Sequence, residues 1–330
     1  MELSNYAPVL IPTCNRYNHL KRCLESLEKC SGANNTDVYV AVDYPPSEKY
    51  IEGWERVTEY LRKKESGHKF HTFRVYYRDR NYGLGHRNSN IGVLIDDIRT
   101  NYDSFISTED DNEFSPNFLE YMNMCLERFK NDDRIIKICG YNFDINMPPM
   151  YKNNFYISMR GCAWGTASWF NKRDLELQYY DLDYLRTIIR DDSSYYRLKQ
   201  IYPRAITLLY GMLKSGKLHG DATWEICCAL EDKYFILPTL SKVRNYGNDG
   251  SGWHSRKNNN IQNKFYLEQV IDNSETFEFT DDIFTYEPVN MRNNNYKVPT
   301  SLRSIYKSFV CNLDIWLLRH FNYMPKSKYI

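Results

Sequence analysis

Apolar residues follow two rhythms along the first 140 positions. Short continuous runs, such as Val9-Leu-Ile11 and Val38 to Val42, alternate with stretches in which apolar residues return every three or four positions. The runs predict buried strands over residues 6–12, 38–42, 70–77, 105–108 and 134–139. The stretches between them predict helices over residues 18–29, with Leu20, Cys23, Leu24 and Leu27 on one stripe, and over 88–98. A further helix opens at Ser115 and Pro116 and carries through Phe129, with Ser as cap and Pro in the first turn. Strands alternating with helices predict an α/β fold, a doubly wound, mainly parallel sheet with helices on both faces. Ligands of such sheets gather at the carboxyl ends of the strands. Pro12 and Thr13, Asp43, and the triplet Glu109, Asp110 and Asp111 all fall at such ends.

The middle of the chain is more helical, with helices expected over 171–178, 182–189, 195–214 and 222–232. A strand over 234–238 leads into a glycine-rich loop, 245–254, and then into a polar stretch, 255–264. Two regions are expected: a domain over 1–256, divided into halves 1–140 and 141–256, and a C-terminal extension over 257–330 that is basic and aromatic.

Composition narrows the classes. The 330 residues are 42% hydrophobic and 15% aromatic, enough for a sizeable core, which excludes wholesale disorder. A net charge of +1 leaves no global field to recruit nucleic acid, so no nucleic-acid partner is expected. The nine cysteines include no Cys-x-x-Cys pair, which points to reduced thiols in a cytoplasmic protein. Residues 1–11 lack a basic segment followed by an apolar one, so no secretory leader is expected. No run reaches the ~20 apolar residues of a membrane span.

The triplet Glu109-Asp110-Asp111 sets the chemistry. Three acids at a strand end repel one another, and a divalent cation or a hydroxyl-rich ligand relieves that repulsion. Mg²⁺ and Mn²⁺ prefer such hard oxygens and bind one or two carboxylates together with substrate phosphates. An isolated acidic triplet is otherwise a solvated turn.

Taken in order, Val9-Leu-Ile-Pro-Thr-Cys-Asn-Arg16, Val40-Ala-Val-Asp43, Asn81-Tyr-Gly-Leu-Gly-His-Arg-Asn88 and Thr108-Glu-Asp-Asp-Asn-Glu-Phe-Ser-Pro-Asn-Phe118 resemble the GT-A fold nucleotide-sugar glycosyltransferases. The acidic segment is most similar to the N-acetylglucosaminyltransferase I type, and the opening is equally similar to the bacterial family-2 glycosyltransferases. The resemblance covers roughly residues 7–254. It implies that Pro12, Thr13 and Arg16 line a nucleotide pocket, that Asp43 accepts the uracil imide, and that Asp110 meets the ribose. It also implies that Glu109 meets the donor sugar and Asp111 the metal, Mn²⁺ or Mg²⁺. Asp43 before Pro45 is also a turn-initiating residue. Gly83 and Gly85 allow a tight turn from which His86 or Arg87 faces a diphosphate, or from which Arg87 points into water.

On the acceptor side, Trp164 and Trp169 lie in Arg160-Gly-Cys-Ala-Trp-Gly-Thr-Ala-Ser-Trp169, offering flat faces to a sugar or simply filling core. An inverting transfer needs one base for the acceptor hydroxyl. His219-Gly-Asp-Ala-Thr-Trp-Glu225 resembles the segment that supplies it, with Glu where Asp is usual. Glu225 is therefore the expected base and Asp221, on the same helical face, the alternate. The opposing reading is an acid-enriched first helical turn. In Asn245-Tyr-Gly-Asn-Asp-Gly-Ser-Gly-Trp-His254, three glycines suit a lid from which Ser251 and His254 reach the diphosphate or metal.

The implied reaction is metal-dependent, inverting transfer from a UDP-sugar, UDP-GlcNAc or UDP-Gal/GalNAc in type, to a glycan or lipid-linked saccharide in bacterial surface polysaccharide synthesis. One rival, a sugar-1-phosphate nucleotidyltransferase, wants a glycine-rich loop after the first strand, and Ile11-Pro-Thr-Cys-Asn-Arg16 has no glycine. Another, a non-catalytic carbohydrate-binding protein, is suggested by 29 tyrosines and six tryptophans. Finally, residues 297–330 carry six basic residues against one acid, Asp314, among many aromatics. That suits a segment lying on an anionic membrane face, or a helix packing its apolar side on the rest of the protein.

Overall fold

Strand β1 (Val9–Thr13) lies at the middle of the architecture, hydrogen-bonded on one side to β2 (Asp37–Val42) and on the other to β4 (Ser104–Ser107), parallel to both. The structure is a computed structural model, and it describes residues 6–84, 87–143, 147, 151–252, 269–280 and 302–325. By backbone contacts the chain divides into two units. The larger holds Met1–Ile157, Cys162–Arg173 and Phe235–Thr285, and the smaller holds Ser158–Gly161, Asp174–Tyr234 and Tyr286–Ile330.

In the larger unit an eight-stranded sheet has the order β3-β2-β1-β4-β8-β6-β9-β7, where β3 is Thr72–Tyr77, β6 Ile135–Cys139, β7 Phe155–Ser158, β8 Thr166–Trp169 and β9 Tyr234–Pro238. Strands β1 to β4 are mutually parallel, and β8 runs antiparallel between β4 and β6. The sheet is thus mainly parallel, as the alternating pattern predicts. A second, two-stranded sheet pairs β5 (Asn112–Phe114) with β10 (Val243–Asn245).

Burial explains why the strands are continuous apolar runs. Val9, Leu10 and Ile11 are fully buried, and a strand covered on both faces has no polar side to show. Leu10 packs with Tyr39, Ala41, Phe105 and Phe170 under Leu94, Ile95 and Ile98 of α3 (Asn90–Ile98). Helix α1 (Tyr17–Leu27) buries Leu20, Cys23, Leu24 and Leu27, the stripe read from the sequence. Each such side chain contributes ~1.5–3 kcal/mol, so the strand end carrying Thr13 is firmly anchored.

Strands β5, β7, β8 and β10 are not among the expected strands, and three helical regions also differ from expectation. Helix α2 (Ile51–Lys64) buries only Val57, Thr58 and Leu61, too narrow a stripe to stand out in the sequence. Helix α4 (Phe118–Phe129) starts two residues beyond Pro116, because the Ser115 N–H is held by the Lys242 carbonyl beyond the β5–β10 ladder. In the smaller unit, α5 (Phe170–Gln178), which begins in the larger one, is followed by α6 (Leu182–Arg190), α7 (Asp192–Ile201), α8 (Pro203–Ser215) and α9 (Gly220–Glu231). The single helix expected over 195–214 is broken at Tyr202 because Pro203 cannot continue a helix and starts the next one instead. Helix α10 (Leu302–Phe321) belongs to this unit as well.

Candidate active site

The order β3-β2-β1-β4 places a topological switch point between β1 and β4, where the chain leaves β1 toward opposite sides of the sheet. The carboxyl ends of these two strands converge there. Thr13 closes β1 and donates its hydroxyl to Asp110 Oδ2 at 2.7 Å. Arg16, at the cap of α1, spreads its guanidinium across two carboxylates: one amino group donates to Asp110 Oδ1 and the other to Asp111 Oδ2 at 2.7 Å. Asp110 and Asp111 are only 3% and 6% exposed. Burial pushes the Asp110 carboxyl above its ordinary range, against the pull of the Arg16 charge. Burial of the guanidinium itself is outweighed by the paired carboxylates, which hold Arg16 firmly protonated.

Strand β10 supplies what the sequence reading missed. Asn245 Nδ2 donates to Asp111 Oδ1 at 2.7 Å and to Asn112 Oδ1 at 2.9 Å, while the Tyr246 N–H donates to the Asp111 carbonyl. Asp111 is thereby gripped from both sides. Gly247 closes over it, and a Cβ there would collide with Asp111 Oδ2. Gly247→Ala is therefore expected to displace the carboxylate from Arg16 and Asn245 and to lower the melting temperature, which a thermal melt checks.

The other expected residues distribute unevenly. Pro12 is half-buried in the ladder opposite Ala41. Glu109 is half-buried, and its carbonyl accepts the Asn112 N–H that closes the acidic turn. The Asp43 carboxylate accepts the N–H groups of Tyr44, Tyr82 and Gly83 and the Asn81 side-chain amide. Four donors fill its four lone-pair sites, so it pins the 81–83 turn to the end of β2. Gly83 sits at φ +67, a conformation a side chain resists. Arg87 is exposed, while His86 lies outside the described residues. Ser251 bonds to Asp249, whose carboxylate lies 3.3 Å from His19 Nε2, whereas His254 lies outside the described residues. Trp164 is half-buried edge-on to Tyr141 at 4.7 Å. Trp169 is core, with Lys172 Nζ 4.0 Å from its ring centroid.

The smaller unit gathers a second constellation. Glu225, in α9, is 6% exposed. It accepts the phenol hydrogen of Tyr202 and lies 3.7 Å from Arg160 Nε. Burial raises its carboxyl to about 7, above what the Tyr202 hydrogen bond and the Arg160 charge take back. Asp221, one turn earlier, is exposed. The sequence signal for Tyr202 was the helix-breaking Pro203 beside it.

The donor set at Asp110 and Asp111 fits a hard divalent cation: buried carboxylate oxygens that already require a positive charge, which Arg16 supplies. Among the described residues no group of three His, Cys, Asp or Glu side chains forms an all-protein cage. Mg²⁺ and Mn²⁺ do not need one where diphosphate and water complete the shell.

No family model matches the chain, and no curated protein matches it. Among solved structures it is similar to TarS 1–349 of S. aureus, at 11% identity over 74% of this chain and 61% of that one, with a TM-score of 0.40. The corresponding values for TarS 1–349 in complex with UDP are 13%, 56%, 55% and 0.35. For a mannosyltransferase from Pyrobaculum calidifontis in complex with GDP-Man and Mn²⁺ they are 11%, 68%, 68% and 0.36. The chain spans about three fifths of the length of TarS 1–349.

Proposed function

We propose that the chain is an inverting nucleotide-sugar glycosyltransferase, using a UDP-sugar and a divalent cation and acting on a hydroxyl of a glycan or lipid-linked saccharide. One observation carries this reading: a buried Thr13–Arg16–Asp110–Asp111 cluster at the switch point of a mainly parallel sheet. In this reading Asp110 and Thr13 face the ribose, and Arg16 turns its guanidinium to the diphosphate. Asp111 holds Mn²⁺ or Mg²⁺, which when bound neutralises charge on the departing diphosphate. Glu225 takes the acceptor hydroxyl proton as that oxygen bonds to the anomeric carbon, and the bond to the nucleotide's phosphate oxygen breaks with its electrons leaving on the diphosphate. Tyr202 and Arg160 orient the base. Among the described residues no disulfide joins the cysteines, which suits a reducing, cytoplasmic setting.

A panel of nucleotide sugars scored by thermal shift, with and without Mn²⁺, tests the assignment. A ligand at 100 times its dissociation constant stabilises by about 2.7 kcal/mol, a shift easily seen. A UDP-sugar is expected to give it with Mn²⁺ present, and Asp111→Ala to abolish it. Indifference to every nucleotide sugar would return the protein to the class of carbohydrate-binding modules.

A further inference from the structure

Asn245 grips Asp111 from β10, and the far edge of β10 is itself occupied. Successive N–H groups of a strand point to opposite sides; that of Tyr246 reaches the Asp111 carbonyl, so that of Asn245 faces away from β5. There it donates to Oε1 of Gln269 at 2.9 Å. Three residues on, the Asp272 N–H donates to the Ser241 carbonyl at 2.8 Å. Residues 269–272 thus run beside 241–245 in the opposite direction. A buried ion pair holds this segment, the Lys242 ammonium donating to Asp272 Oδ2. Asn117, at the cap of α4, donates to the same oxygen at 3.0 Å and to the Thr276 carbonyl at 2.9 Å. Phe277 is buried edge-on to Tyr121, with 4.9 Å between ring centroids, and its N–H donates to Glu120 at 2.8 Å. The segment is fixed at 272–277, and Gln269 is the residue it presents to Asn245.

We propose that Gln269 is a positioning residue for Asp111, acting through Asn245. The Asn245 side chain commits Nδ2 to Asp111 and Asn112 and Oδ1 to the Gly247 N–H at 2.9 Å, while its backbone N–H goes to Gln269. At 4% exposure Asn245 has little water to fall back on. A lost acceptor therefore leaves a buried donor unpaired, and the strand relieves that by moving. Any such movement carries Nδ2 off Asp111 Oδ1. Gln269 serves by its oxygen alone. The backbone N–H fixes which end of the amide faces Asn245, and Nε2 is buried with no partner among the described residues. An apolar side chain would fill the space without stranding a donor, so the accepting oxygen is what this position supplies. The inference rests on the reading of Asp111 as the holder of a divalent cation beside the diphosphate.

Paramagnetic resonance of Mn²⁺, titrated into the full chain in the presence of UDP, reads the site without turnover. The wild type is expected to bind Mn²⁺ with UDP. Gln269→Leu, which keeps bulk but accepts no hydrogen bond, is expected to bind it about 10–100-fold more weakly. Gln269→Glu keeps the oxygen and is expected to bind at least as tightly as the wild type, which covers the case in which the leucine variant folds poorly. Asn245→Ala is expected to lose at least as much as Gln269→Leu, and the double variant no more than Asn245→Ala alone, since one residue acts through the other. Losses that multiply in the double variant would overturn the proposal. So would a Gln269→Leu protein that binds as the wild type does, or a Gln269→Glu protein as weak as the leucine variant. Wild-type protein that binds no Mn²⁺ with UDP would overturn the reading of the site itself, and this inference with it.

Discussion

Glu225→Gln is expected to slow sugar transfer by about 10²–10⁴-fold while leaving nucleotide-sugar binding unchanged. The substitution keeps the shape of the side chain and an oxygen for the Tyr202 hydroxyl but cannot take up a proton. A base titrating near 7 is half ionised at neutral pH, so wild-type transfer should rise as pH climbs through about 7 and level off above it. The stability change has a definite sign too. The folded-state value lies above the 4.5 of an unfolded glutamate, so the stability tied to its protonation is complete below about 4.5 and lost as pH rises through about 7. The neutral Gln is therefore expected to raise the melting temperature at pH 8 relative to wild type and to give less of that gain at pH 5. An inactive variant that is also unstable at pH 8 would mark Glu225 as structural. Loss of transfer in Asp221→Asn with full activity in Glu225→Gln would move the base to Asp221.

Strands β1, β2 and β6 were legible for one physical reason: a strand buried on both faces leaves no freedom in its pattern, whereas the short strands β5, β7, β8 and β10 were not read. Val9-Leu-Ile11 and Val38 to Val42 could hardly be read otherwise, and polar residues interrupting such runs mark strand ends. What holds the triplet was not legible. Arg16 and Asp111 are 95 positions apart, and Asn245 and Asp111 are 134 apart, so no local period links them. Asp43 shows a different limit. Its place at a strand end was readable, but its partners include the backbone N–H groups of Tyr82 and Gly83, whose direction no side-chain pattern encodes. The tail offered two readings because the sequence shows apolar content, while only packing shows that Ile315 and Leu318 face inward and Phe309 and Trp316 outward.

Arg16→Met is expected to cost about 3–5 kcal/mol of stability, more than most single substitutions, because it strips the charge partner from two buried carboxylates at once. Thr13 and Asn245 would still donate to Asp110 and Asp111, but neither neutralises charge. Methionine fills much of the arginine's apolar volume, so the loss would report electrostatics and not a cavity. Arg16→Lys should fall between the two, since an ammonium keeps the charge but cannot reach both carboxylates with a planar fork. Millimolar Mn²⁺ is expected to restore much of the stability of the methionine variant and little of the wild type's, whose carboxylates already have a cation. Thermal melts of the three proteins with and without Mn²⁺ decide the matter. If Arg16→Met melts with the wild type, the guanidinium does not hold the pair together, and the charge balance of the cluster must lie elsewhere. If it melts early and Mn²⁺ does nothing, the carboxylates need Arg16 but do not take a metal in its place, which would leave the nucleotide pocket standing and remove the cation from it.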